Sequence, residues 1–268
     1  MHTTRVAGIL AALLLLGRGA ALAQAPSFAP LLADPKGPAF FAAYLWSDRP
    51  EIASHLATVG LGQTLGLIRS GDWELAIAAG VFSQFRMEVV TNDLINSDYI
   101  VGLPLTWHRG PTALRFRLFH QSSHLGDEYL LHTGAQRADL TFESAELLVS
   151  REVGPWRGYG GAEYAFTRSP SDLEPAVLRA GLEYRGPRPL LRLGRLGTTR
   201  LVAGVDMESV QARGREPTWN AVTGFELSVP ASEWRWSVLL KGSTGAAPYG
   251  QFYRDRLSSL GFGISFSR

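Results

Sequence analysis

The segment Phe119-His120-Gln121-Ser122-Ser123-His124-Leu125-Gly126-Asp127-Glu128-Tyr129 gathers two histidines, two serines and two carboxylates into eleven residues. Residues two apart in an extended strand point to the same side, so a strand through this segment sets His120 beside Ser122. An imidazole in that position can take the proton of the serine hydroxyl, the pairing that nucleophilic acyl transfer needs. Asp127 and Glu128 follow directly, and carboxylates there can orient the imidazole or supply oxygen ligands to calcium. The structural alternative is a polar rim that ends the strand, with Gly126 supplying positive φ and Asp127 capping backbone donors. His55, His108 and His132 lack the spacing of a metal site. Phosphate loops, Gly-x-Ser-x-Gly elbows and zinc motifs do not occur in the sequence.

The elements that must position this cluster begin with an export signal. Arg5, an apolar run from Val6 to Gly17 and the small residues Ala21-Leu22-Ala23 suit signal peptidase, and the run is too short for a spanning helix. Residues 1 to 23 are expected to be cleaved. Removing Arg5 and Arg18 from the 26 basic residues leaves 24 against 24 acids, so the sequence pI near 9 implies no nucleic-acid partner. Only Lys36 and Lys241 among the basic residues are not Arg, and Arg suits ion-pair ladders inside a protein. The absence of cysteine excludes a disulfide-stapled domain and a thiolate metal site. After residue 23 no window approaches the roughly 20 apolar residues of a membrane helix. An exported, cysteine-free chain rich in glycine and aromatics fits the outer-membrane β-barrel.

A period of two runs through the chain, over 39 to 46, 54 to 68, 72 to 86, 97 to 108, 112 to 122, 138 to 151, 155 to 168, 174 to 185, 199 to 212, 217 to 229, 233 to 243 and 258 to 267. These twelve segments predict an all-β fold: a single transmembrane antiparallel barrel of about 12 strands over 39 to 268, with 24 to 38 as a short periplasmic lead-in. One parity carries Trp73, Leu75, Ile77 and Val81, Tyr99, Val101, Leu103 and Leu105, or Leu260, Phe262 and Ile264. The other carries Glu74, Arg115, Arg117, Glu163, Arg179, Glu183, Asp206 and Glu226. Apolar faces should meet lipid and charged faces a polar lumen, which the side chains would nearly fill.

A soluble β-sandwich would reverse these faces. Turn rhythm and tryptophans argue for the barrel. Tight connections at 69 to 71, 109 to 111, 152 to 154 and 230 to 232 interleave with longer ones at 87 to 96, 123 to 137 and 244 to 257, as periplasmic turns and external loops do. With the N-terminus on the inner side, Trp73, Trp107, Trp156 and Trp234 fall at inner strand ends and Trp46 and Trp219 at outer ends, the positions of interfacial belts. Three features run against the pattern: Pro104 lies mid-strand, where it removes a ladder donor, the connection 186 to 198 is long, and the chain ends Phe266-Ser267-Arg268.

In this topology the strand through 112 to 122 runs outward, with His120 and Ser122 on the lipid side near the external rim. His-x-Ser at that place resembles the catalytic pair of outer-membrane phospholipase A, and is similar to that of the lipid A 3-O-deacylases. The resemblance implies Ser122 as nucleophile and His120 as base, acting on phospholipid or lipopolysaccharide; Ser123 stands where those families carry Asn. They draw a third member, Asn or Glu, from the following strand. Asp139, Thr141 and Glu143 are the candidates, and they have lumen parity if Leu140 and Phe142 face lipid; a bulge would reverse this for Glu143.

Phe28-Ala29-Pro30-Leu31-Leu32-Ala33-Asp34-Pro35-Lys36 together with Phe119 to Tyr129 resembles the bacterial domain of unknown function 1207, over most of the mature chain. That resemblance implies an exported protein and names no catalytic residue. Two readings follow. One is a lipid acyl hydrolase built on His120, Ser122 and Glu143, with Asp127 and Glu128 as calcium ligands. The other is a non-enzymatic barrel, structural or a narrow channel.

Overall fold

In a computed structural model, residues 28–194, 197–210, 216–230, 232 and 234–267 are described. The expected signal peptide, 1 to 23, and the first residues of the expected lead-in, 24 to 27, lie outside them. The alternating segments form strands Phe40–Ser47 (β1), His55–Ser70 (β2), Trp73–Arg86 (β3), Leu94–Arg109 (β4), Thr112–Leu125 (β5), Leu140–Val153 (β6), Trp156–Ser169 (β7) and Ala176–Arg185 (β8). After a two-residue strand, Leu191–Arg192 (β9), come Thr198–Val210 (β10), Pro217–Ser228 (β11), Arg235–Thr244 (β12) and Ser259–Ser267 (β13). Each strand pairs antiparallel with its neighbours, and β1 pairs with β13 from Phe40↔Phe266 to Ser47↔Ser259. That pairing closes a twelve-strand barrel, because β9 meets only β10, at Thr198 and Thr199. Closure leaves no open edge, which a lipid-immersed sheet cannot tolerate.

The turn chemistry is local. Gly110 and Gly154 hold φ of 57° and 58°, and each precedes a proline. Positive φ followed by a proline-fixed φ near −65° is a type II′ hairpin turn, whose twist matches the strands it joins. Pro104 lies where the β3–β4 ladder is interrupted, between Leu75↔Leu105 and Ala78↔Gly102, as the loss of its N–H from the ladder requires. The long connection at 186 to 198 is partly ordered by β9, which extends the hairpin into β10.

The two parities sort as expected along most of the wall. Leu103, Leu118, Leu147, Val238, Leu240 and Phe262 are exposed outward, while Glu74, Arg115, Arg157, Glu183, Asp206 and Glu226 are buried inward. Trp46, Trp73, Trp156 and Trp219 are all exposed on the wall. In the lumen the charges pair: Arg115 and Arg117 share Glu146 at 2.8 and 2.9 Å, and Arg179 holds Asp206 at 2.8 Å and Asp34 at 3.1 Å.

From Phe28 onward the segment expected as a lead-in runs within the barrel. Phe28 and Leu31 pack with Ala113, Leu148 and Tyr159, and the Arg115 and Arg157 guanidinium groups lie 4.5 and 4.7 Å from the Phe28 ring. The Leu32 N–H donates to Glu183 at 2.7 Å, and Arg157 donates to the Ala29 carbonyl at 3.1 Å. Lys36 reaches Asp98, itself fully buried, at 2.7 Å. An irregular segment inside a membrane barrel must find partners for its backbone, and the inward charges provide them.

The outer mouth is closed by the external loops. Ile52, Ala53, Ile95, Leu125, Tyr129 and Phe252 belong to one buried apolar cluster, to which the short helix Asp127–Thr133 (α1) contributes Tyr129. Gly126 enters α1 with φ −67°, so positive φ is not its role. A Cβ there would sit 1.8 Å from the Leu94 carbonyl oxygen; close backbone approach, not turn geometry, demands glycine.

Candidate active site

His120 and Ser122 project from the outer wall of β5, on the parity that also carries the exposed Phe116 and Leu118. The register places Tyr99 of β4 opposite Ser122 on one side and Thr141 of β6 on the other. His120 is directly opposite Glu143, and its Nδ1 lies 2.9 Å from Glu143 Oε1. With Nδ1–H donated to the carboxylate, the lone pair on Nε2 is the free basic position of the ring. No hydrogen bond joins Ser122 to His120 among the described residues; such contacts are commonly long before substrate binds.

Glu143 thus sits on the histidine's own face, and no bulge in β6 is needed to bring it there. Leu140 and Phe142 point inward, the latter meeting the Phe119 ring edge-on at 6.0 Å. Leu147 and Val149 point outward and continue the parity of Glu143. The apolar-means-lipid rule fails at the outer end of β6 because the capped mouth supplies an apolar interior. The irregularity falls in β7, where Glu143↔Thr167 is followed by Ser144↔Ala165 and Phe166 is the extra residue.

The remaining residues of the cluster divide between the faces. Ser123 points inward and donates to Asp98 Oδ1 at 2.5 Å. His124 faces outward, its ring 5.6 Å from that of Tyr99. Asp127 does not cap α1; it pairs with Arg137 at the surface, and Glu128 is exposed beside it. The described residues hold no group of three or more His, Asp or Glu able to share a metal. Asp127 and Glu128, the two carboxylates expected to offer calcium oxygen ligands, stand side by side at this exposed surface.

Sequence reasoning missed a second cluster, inside the wall at the same height. Asp98 accepts from Ser123 and from the backbone N–H of Gly250, and Asn96 accepts from Ser123 at 2.9 Å and from the Gln251 N–H at 3.2 Å. With the Lys36 ammonium on Asp98, the lumenal segment, β4, β5 and the loop between β12 and β13 are tied at one point. The only signal was that Asp34-Pro35-Lys36 and Phe119–Tyr129 both bear the family resemblance.

A closed barrel with an apolar outer wall, aromatic belts and a charged interior defines an outer-membrane-type β-barrel. Within that class the chain belongs to the family described as protein of unknown function (DUF1207), which matches residues 3–267. No curated protein matches it. Among solved structures it is similar to outer membrane phospholipase A from Escherichia coli, with a TM-score of 0.60 and 12% identity over 86% of this chain and 91% of that one. It is also similar to the Salmonella typhi outer membrane phospholipase, a dimer with bound calcium, at a TM-score of 0.61 and 11% identity over 91% and 94% of the two chains. LpxR from Salmonella typhimurium follows at 0.43 and 11%, over 85% of this chain and 99% of that one. At these identities the likeness is one of fold.

Proposed function

We propose that this protein is exported to a Gram-negative outer membrane after loss of residues 1 to 23, and that it hydrolyses an acyl ester of a phospholipid or lipid A in the outer leaflet. Ser122 Oγ attacks the ester carbonyl while His120 Nε2 accepts its proton. The tetrahedral intermediate collapses as His120 returns that proton to the leaving alcohol; water, deprotonated by the same imidazole, then attacks the acyl-serine, and His120 passes the proton to Ser122 Oγ as the fatty acid leaves. Glu143 holds the ring and stabilises the imidazolium. The observation that carries this reading is the 2.9 Å contact between His120 and Glu143 on the lipid-facing wall, one strand step from Ser122. The shared fold with outer membrane phospholipase A supports it.

The test uses the refolded barrel with phospholipid or lipopolysaccharide. Fatty acid should be released, and Ser122→Ala should reduce release by on the order of a thousandfold or more; equal release from both proteins removes the assignment. A fluorophosphonate probe should label the parent and not the variant. The competing reading, a non-enzymatic barrel, draws on the filled lumen, which favours a structural role over a channel.

A further inference from the structure

We propose that the outer half of the lumen is a binding chamber for a small organic cation, a molecule with a protonated amine and a hydrogen-bond acceptor. The proposal is independent of the hydrolase reading, since the chamber lies inside the wall that carries His120 and Ser122.

The chamber is a partly enclosed cavity of about 190 Å³. At roughly 30 Å³ per water, that is room for about six waters or a ligand of similar bulk. Asp34, Pro35 and Lys36 of the lumenal segment line it on one side, and Ala246 to Gly250 with Tyr253 line it from the loop between β12 and β13.

Its charges are unevenly matched. Each cation in the lining already has a carboxylate: Lys36 has Asp98, Arg117 has Glu146, and Arg179 touches Asp34, Asp206 and Glu208 together. Glu163 and Glu174, which also line the chamber, form no ion pair among the described residues; Arg117, the cation that acts most on Glu163, is itself held by Glu146. A carboxylate ionised in a partly dehydrated space requires a counter-charge, and the cations of this lining are already engaged. The described residues offer no cluster of three acidic or histidine ligands for a metal. Aromatic residues also stand in the lining: Phe142 and Tyr249, together with Phe119 and Tyr253, whose rings already carry Arg117 and Arg254, surroundings suited to a diffuse organic cation.

A second, independent observation points to the acceptor half of the ligand. Asn220 lines the chamber and is 6% exposed, yet its amide nitrogen has no hydrogen-bond partner. The Nε of Arg117, in the same lining, is likewise buried without one. Buried donors of this kind are seldom left unmade. An amino alcohol satisfies both halves, its ammonium toward the acids and its hydroxyl oxygen accepting from Asn220. At the rim Tyr253 donates to Asp172 at 3.2 Å and Arg254 forms an ion pair with it, so the β7–β8 loop and the roof are fastened where a solute from outside would pass.

The experiment is calorimetric titration of the refolded full barrel in detergent with ethanolamine and with 3-aminopropanol, and with acetate as the anion control at equal ionic strength. The amines should give saturable heats and acetate none, and Glu163→Gln should weaken amine binding at least about tenfold. Folding of each variant is read from the heat-dependent mobility of the barrel on gels. Should Glu163→Gln not refold, Glu174→Gln, at the loop side of the chamber, carries the same test. Amine heats no larger than those of acetate, or equal affinity in the parent and a folded variant, overturn the proposal.

Discussion

A histidine and a glutamate on a lipid-facing wall are out of place unless something offsets their cost. Cationic side chains on that face cost about 2–4 kcal/mol at the bilayer midplane and about 0–1 near the interfaces, and a mutual hydrogen bond lowers the penalty further. His120 and Glu143 meet both conditions, lying toward the outer end of the wall and bonded to each other. Their pairing predicts a specific kinetic signature. Glu143→Gln keeps the shape and removes the charge, so lipid hydrolysis should fall about 10²–10⁴-fold. The loss should fall on kcat with KM little changed, because the carboxylate orients the imidazole and does not touch the lipid; unchanged hydrolysis in the folded variant would make Glu143 purely structural. Glu143 was legible as a residue type in the following strand, but its face was not, because Leu140 and Phe142 imitate a lipid-facing pair.

At the scale of elements, the external loops behave as a second core. The loop after β3 illustrates how it is fastened: Glu88 accepts the N–H groups of Ser54 at 2.9 Å and His55 at 3.1 Å, with Arg86 beside it. Burial pushes the Glu88 carboxyl up, but those donors and Arg86 outweigh it and hold the group below the usual carboxylate range. A depressed acid stabilises the fold above its unfolded pKa, about 4.3 for Glu, and that contribution is lost as pH falls through the lower folded value. Hydrogen exchange at Ser54 and His55 should therefore be slower in the parent than in Glu88→Gln at pH 6. The difference should shrink as pH falls through the lowered folded value; equal exchange in the two proteins at pH 6 removes Glu88 as the fastening. The two family-like segments also acquire a reason at this scale. They are far apart in sequence and converge on Asp98, one through Lys36 and the other through Ser123.

For the whole molecule the consequence is a barrel closed at both scales, by strand pairing around the wall and by Phe28 to Lys36 through the middle. Planar bilayers should show no steady conductance from the intact protein, and deletion of residues 28–37 should raise conductance in barrels that still fold. A porin-like current from the intact chain would contradict the filled lumen. The sequence by itself determined the twelve strands, their inner turns, the lipid and lumen parities along most of the wall and the placing of His120 with Ser122. All of these follow from period two, which is a local property of extended backbone. Only the tertiary structure decided that the leading segment enters the lumen, that Leu140 and Phe142 turn inward and that Glu143 meets His120. Each depends on what lies across the barrel or on the neighbouring strand, and cross-strand register and lumenal filling are set by contacts between residues far apart in the chain.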